Sequence, residues 1–231
     1  MTAENYLEGQ ILLIDKPLTW SSFQAVNKLK YILKRNYDLP KNFKIGHAGT
    51  LDPLATGLLI VCTGKFTKKI TEIQSQAKEY TGTFNIGTTT PSYDLETNVD
   101  ATFPTDHITE SLILETTKQF IGEIDQKPPV FSAIKKDGIR LYEHARAGEE
   151  VEIAFRKTTI YEFEITRISL PQIDFKVVCS KGTYIRSLAF DFGKALNSGA
   201  HLSVLRRTKI GDYDVANAIS PEVFEKFYFE N

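Results

Sequence analysis

Between Gly46 and Gly57 the chain reads GHAGTLDPLATG, which puts three glycines, a histidine, an aspartate and a proline within twelve residues. Glycines permit backbone shapes and close approaches that side chains forbid. Pro53 pushes Asp52 out of the helical region and toward an extended conformation. The segment is therefore expected to be a stiff loop that presents the Asp52 carboxylate. Taken alone, the stretch fits equally well an Asp52-Pro53 turn that merely ends a loop. Ile45-Gly46-His47-Ala48-Gly49 also fits the IGxxG pattern of a KH loop, which clamps RNA backbone between two helices. Pro53 follows four residues after Gly49 and breaks the second helix that reading requires.

A second informative stretch is Cys179-Ser180-Lys181-Gly182-Thr183-Tyr184-Ile185-Arg186-Ser187-Leu188. A strand ends there, and a helix opens with Thr183, Tyr184 and Arg186 in its first turns. Exposed amides at a helix N-terminus favour an anion. An arginine is slightly disfavoured at that end by the helix dipole, which points to a partner anion; a plain surface arginine is the alternative.

Periodicity organises the rest. Gln10–Ile14 reads as a buried strand. Phe23, Val26, Leu29, Ile32 and Leu33 recur at helical spacing, predicting an amphipathic helix over 22–34 with Ser21 or Ser22 as cap. Its other face carries Lys28, Lys30 and Lys34, with Arg35 next, either solvated or in contact with RNA. A polar loop is expected over 36–53, a buried strand over 57–62, a basic helix over 65–76 and an alternating strand over 79–86. A long polar connection follows over 87–107, then a helix from Thr109 to Gly122. Asp137-Gly138 signals a turn, and a short helix covers 141–147. Antiparallel strands are expected over 151–155, 158–168 and 173–179, a helix over 183–196, a strand over 202–210 and a closing helix over 221–228. One α+β domain spanning 1–231 is the expectation, with helices flanking a largely antiparallel mixed sheet.

Lys plus Arg total 28 against 29 Asp plus Glu, so a nucleic-acid binder of this composition must gather its cations on one face. Cys62 and Cys179 sit apart in apolar runs, and no CxxC or His/Cys cluster suggests zinc or a disulfide framework. The polar start does not read as a signal peptide, and no apolar run nears the roughly 20 residues of a membrane span. A cytoplasmic protein is expected. No GxxxxGK[ST], strand-linked GxGxxG, HExxH or GxSxG is present, so neither nucleotide cofactor, metal nor serine nucleophile is indicated.

Asp15-Lys16-Pro17, GHAGTLDPLATGLL at 46–59, PPVFSAIKKDGIRLYEHARAG at 128–148 and CSKGTYIRSL at 179–188 together resemble the TruB-type tRNA pseudouridine synthases, in the family's order and approximate spacing. The resemblance implies the pseudouridine synthase catalytic fold, action on the T-loop uridine of tRNA (conventional position 55) without a cofactor, and base flipping. It implies Asp52 as the catalytic aspartate, Arg186 as the arginine that pairs with it, and Tyr80 as the tyrosine that stacks on uracil and handles the C5 proton. It implies that His47 contacts the T loop, that Lys16 lies beside the active site, that Leu205 packs on the flipped base, and that Tyr184 belongs to the RNA-binding set. Arg206 and Arg207 are expected to meet phosphate. Asp94 matches, through a loose alignment, an aspartate that engages the active-site arginine. Many members carry a further C-terminal PUA domain; none is expected here, so weaker, salt-sensitive binding of the tRNA T arm by a monomer follows. A guide-dependent relative, a tRNA-folding chaperone that needs no Asp52, and a KH-type binding module are the rival readings.

Overall fold

The computed structural model describes residues 2–132, 134–136, 138–149 and 151–229. The chain begins with α1 (Ala3–Glu8), β1 (Ile11–Lys16), α2 (Ser22–Asn36), β2 (Ile45–His47) and β3 (Ala55–Thr63). A 3-10 turn over Gly64–Lys69 leads into α3 (Ile70–Ser75) and then β4 (Lys78–Ile86). Next come β5 (Thr88–Thr89), β6 (Ala101–Thr102), α4 (Glu110–Lys118), β7 (Gly122–Gln126), β8 (Lys135–Lys136), β9 (Ile139–Arg140) and α5 (Leu141–Arg146). The final elements are β10 (Arg156–Ser169), β11 (Gln172–Cys179), α6 (Ile185–Ala195), β12 (Ala200–Ile210), β13 (Tyr213–Asp214) and α7 (Pro221–Phe229). This is the expected α+β architecture, with a mixed, mostly antiparallel sheet.

Contacts divide the chain into two compact units, Met1–Tyr80 with Leu205–Asn231, and Thr81–Val204. In the first, β1 pairs antiparallel with β3 from Ile11↔Cys62 to Lys16↔Gly57. The other edge of β3 runs parallel to β12 through Leu205↔Ala55, Arg206↔Thr56 and Arg207↔Gly57. Alternate residues of β3 serve two cores. Leu59 and Val61 pack with Ala25, Val26, Leu29, Ile32 and Leu33 of α2. Leu58, Ile60 and Cys62 pack with Ala48, Ile73 and Ile210. Burial on both faces explains why β3 reads as a continuous apolar run.

Helix α2 starts where the sequence places it. Ser21 is the cap: its Oγ accepts from Gln24 N at 3.1 Å, and Gln24 Oε1 accepts from Ser21 N at 2.7 Å. That reciprocal pair is a capping box. Ser22, the other candidate cap, is the first helical residue.

In the second unit β11 pairs antiparallel with β10, and β10 with β7. Phe84, Phe120, Phe163, Phe175 and Phe192 form its aromatic centre, with Phe84 stacked on Phe175 at 4.1 Å between ring centroids. Residues 151–155, expected as a strand, are not one. Pairing starts at Arg156, opposite Gln126 at the end of β7, so the preceding residues have no ladder partner in that pair. The basic helix expected over 65–76 is a 3-10 turn followed by a short α-helix. Of the expected Asp137-Gly138 turn, Asp137 lies outside the described residues.

Candidate active site

The loop that carries Asp52 is the connection between β2 and β3, which pair antiparallel from Ile45↔Thr63 to His47↔Val61. Ala48 N–H continues the pairing to Ile60 O at 2.8 Å. The glycine-rich segment therefore starts as a strand, not as the open loop expected over 36–53. Beyond it the chain turns through Asp52, whose carbonyl accepts from Ala55 N at 3.0 Å.

Neighbouring elements hold this loop. Ser22 Oγ accepts from Leu51 N at 2.8 Å and donates to Leu51 O at 3.1 Å. Thr19 N–H donates to Pro53 O at 2.8 Å. The residues on either side of Asp52 are thus both tied down, Leu51 to Ser22 at the start of α2 and Pro53 to Thr19 in the connection that precedes it. Asp52 itself is half-buried.

Lys16 is completely buried and its ammonium donates to Pro17 O at 2.9 Å and Trp20 O at 2.6 Å. Burial lowers its pKa to about 8, the charge on Asp52 opposes that drop, and Arg207 reinforces it. Among the charges that act on Lys16, that of Asp52 favours the ammonium.

His47 is partly buried. Burial lowers its pKa, the Arg207 charge lowers it further, and the Gly49 backbone works the other way. Its Nδ1 is buried without a partner that meets hydrogen-bond geometry. Buried polar atoms in that condition are rare and call for an explanation.

Leu205 and Tyr80 are each 9% exposed. Leu205 pairs with Ala55 at the start of β3, three residues after Asp52, and its carbonyl accepts from Thr56 Oγ1 at 3.4 Å. Tyr80 lies in β4, whose preceding residue Glu79 accepts from Thr208 Oγ1 of β12 at 2.7 Å.

The two arginines after Leu205 differ from each other. Arg206 makes a two-pronged pair with Asp15, at 3.0 and 2.7 Å, and its side chain stays partly exposed. Arg207, expected to meet phosphate, is 1% exposed, and its guanidinium donates to the carbonyls of Leu58, Gly49 and Thr50. Strand alternation is the reason: Arg207 is two residues after Leu205 and shares its buried side. That period was readable in the sequence.

The second unit contains Asp94, Tyr184 and Arg186. Arg186 is 5% exposed; its Nε lies 3.6 Å from Asp94 Oδ2, and Nη1 donates to Ser92 O at 3.3 Å. The loosely aligned Asp94 thus does engage this arginine. Tyr93, between Ser92 and Asp94, has φ +62 and stacks on Phe190 at 4.2 Å. Tyr184 precedes α6 as its cap residue, its N–H donating to Gln126 Oε1 at 2.8 Å and its carbonyl accepting from Gln126 Nε2 at 3.0 Å. Ser22 was read only as a possible helix cap, and Gln126 went unrecognised, because each holds main chain distant in sequence, which no local pattern announces. Among the described residues no His, Cys, Asp and Glu grouping could hold a metal ion, and no helix is long and apolar enough to cross a membrane.

Comparison with known proteins gives the family. Residues 34–185 match the family model described as TruB family pseudouridylate synthase, N-terminal domain, and residues 186–231 match the tRNA pseudouridylate synthase B C-terminal domain. The chain is similar to the tRNA pseudouridine synthase B of Flavobacterium johnsoniae, at 79% identity over 98% of this chain and 99% of that one. It is 54% identical to that of Phocaeicola vulgatus over 96% of this chain and 94% of the relative. Among solved structures it resembles a chain of an H/ACA RNP bound to a substrate RNA containing 2'-deoxyuridine, with TM-score 0.72 and 26% identity over 99% of this chain. It also resembles a chain of a Cbf5-Nop10-Gar1 complex, with TM-score 0.73 and 27% identity over 100% of this chain. It spans 56% and 59% of those longer chains.

Proposed function

The chain belongs to the TruB family of pseudouridylate synthases, and from that premise we propose that it isomerises the T-loop uridine of tRNA, conventional position 55, with Asp52 as the catalytic carboxylate. Isomerisation of tRNA uridine is the activity of the family. The T-loop site, the flipped base and the roles of individual residues are our reading.

One observation carries it. Asp52 stands on a loop whose flanking residues are both held by hydrogen bonds, Leu51 to Ser22 of α2 and Pro53 to Thr19 just before it, and its charge favours the buried ammonium of Lys16. A carboxylate held in a fixed position is what action at the sugar calls for. The C1′–N1 bond breaks, the uracil turns over, C5 bonds to C1′, C5 gives up its proton, and N1 gains one. Asp52 acts at the sugar, as nucleophile on C1′ or as base for an electron-deficient ribose. By the resemblance, Tyr80 stacks on the uracil face and handles the C5 proton, which passes finally to water. Arg186, held by Asp94, supplies the cation that the resemblance assigns to the site.

Such chemistry on a stacked base requires it to leave the stack. Leu205 gives an apolar surface for the flipped uracil. His47, five residues before Asp52 on the same glycine-rich segment, is the residue the resemblance assigns to contact with the T loop.

Carbodiimide-based mapping of pseudouridine on unmodified tRNA incubated with the purified protein tests the reading. A single stop reporting position 55 is expected, and a stop elsewhere, or none, contradicts it. Omitting any guide RNA from the reaction also separates this reading from guided modification.

A further inference from the structure

Among the described residues the largest fully buried side chain is an arginine, Arg207. Burying a guanidinium away from water is costly unless its donors are matched. Nε donates to Leu58 O at 2.8 Å, Nη2 to Gly49 O at 3.0 Å and Nη1 to Thr50 O at 3.4 Å. All three acceptors are main-chain carbonyls from the two ends of one segment: Gly49 and Thr50 lead into Asp52, and Leu58 follows it.

The main chain of Arg207 holds the same segment. It lies opposite Gly57 in the parallel pairing of β12 with β3. Gly57 has φ +101, and a Cβ there would stand 2.3 Å from Arg207 O, so the approach is closer than any side chain allows. Gly49, at φ +106, likewise adopts a conformation that favours glycine. Two of the three glycines of the motif thus meet Arg207, Gly57 through the close approach of the two main chains and Gly49 through its carbonyl.

The charge has a consequence at two other members of the site, since Arg207 disfavours the protonated forms of both Lys16 and His47. An apolar side chain would fill the space without that effect. The planar fork, with five donors in fixed geometry, is what can reach three carbonyls on both sides of a loop.

We infer that Arg207 is a positioning residue for the reaction: by fastening both ends of the segment that carries Asp52, it fixes where that carboxylate stands. This rests on Asp52 being the catalytic group. Misplacing a reacting group by about 1 Å can cost roughly a hundredfold in rate.

The test is Arg207→Lys, which keeps the charge but cannot bridge the three carbonyls. Single-turnover conversion of tRNA is measured beside RNA affinity, melting temperature and amide hydrogen exchange. The parent and an Asp52→Asn variant run in parallel, so that a failure of the Asp52 reading shows as activity retained in Asp52→Asn. The expected result is a single-turnover rate lowered at least about thirtyfold, with RNA affinity within about twofold of the parent. Faster exchange should be confined to the amides of Leu51 and Ala55, while those of α2 stay protected. A rate within about threefold of the parent, or faster exchange throughout the first unit in step with the loss of rate, would overturn the inference. Should Arg207→Lys not fold, Gly49→Ala puts the same question from the carbonyl side. A loss of at least about tenfold in rate at unchanged affinity, in a variant still folded at the assay temperature, supports positioning, and an unchanged rate overturns it.

Discussion

Ser22 and Leu51 exchange two hydrogen bonds through one hydroxyl, so the first turn of α2 is fastened to the residue immediately before Asp52. Both residues are buried. Ser22→Ala removes the hydroxyl and leaves a buried N–H and C=O of Leu51 without that partner. A stability loss of about 1–3 kcal/mol follows from the desolvation of those groups. The rate should fall by about tenfold while RNA affinity holds, because an interaction that serves the transition state more than binding has been lost. Chemical denaturation and single-turnover assays on the one variant check both.

The alkaline behaviour of Lys16 gives the second prediction. Its pKa in the folded protein is about 8, below the ordinary 10.5, because burial disfavours the ammonium more than Asp52 supports it. Below pH 8 the cation beside Asp52 is present; above it the cation is lost. The single-turnover rate should decline with an apparent pKa near 8, and Lys16→Arg, if it folds, should move that decline to higher pH. The stability effect has the opposite direction. Between about pH 8 and 10.5 the unfolded chain binds the proton that the folded chain has released, so the Lys16 contribution becomes more favourable as pH rises through that window. The stability of the parent relative to Lys16→Met should therefore improve from pH 7 to pH 10.

Arg186 and Asp94 are both nearly inaccessible to water, and their charged groups lie 3.6 Å apart. Removing one partner leaves the other charge buried. Arg186→Met should destabilise the protein by about 3–5 kcal/mol, and the double change Arg186→Met with Asp94→Asn should cost less than the sum of the two singles. Additive losses in a double-mutant cycle would show that the pair is not coupled.

Much of this was legible beforehand, for identifiable reasons. Helix α2 could be read because its apolar spacing, its Ser21 cap and its buried face agree. Strand β3 could be read because both of its faces are buried. Asp52 stood out through the glycines and the proline around it. Strands β2 and β7 were missed: each is short, and each is a strand because a neighbour pairs with it, not because of its own composition. Residues 151–155 failed in the opposite direction, having strand-like residues but no ladder partner in the β7–β10 pair. Arg207 was misread by residue type. An arginine beside RNA-binding motifs suggests phosphate, yet its position on the same side of β12 as Leu205 already placed it inward.

Charge distribution leads to the next expectation. The first unit holds 15 Lys and Arg against 12 Asp and Glu, and the second 13 against 17. RNA bound through phosphate contacts releases counterions, so affinity should fall linearly on a logarithmic salt scale, by at least about tenfold between roughly 50 and 200 mM. Filter binding across that range checks it, and a flat response would contradict a phosphate-based grip.

The central claim is that Asp52 performs the isomerisation. Purified protein should be mixed with unmodified tRNA carrying tritium at uridine C5, without cofactor, metal or guide, beside an Asp52→Asn variant shown to bind the same RNA. The account predicts release of about one tritium per tRNA by the parent, since formation of the C5–C1′ bond expels that hydrogen, and none by the variant. Release by Asp52→Asn at the parental rate, or no release by either protein despite binding, would contradict it.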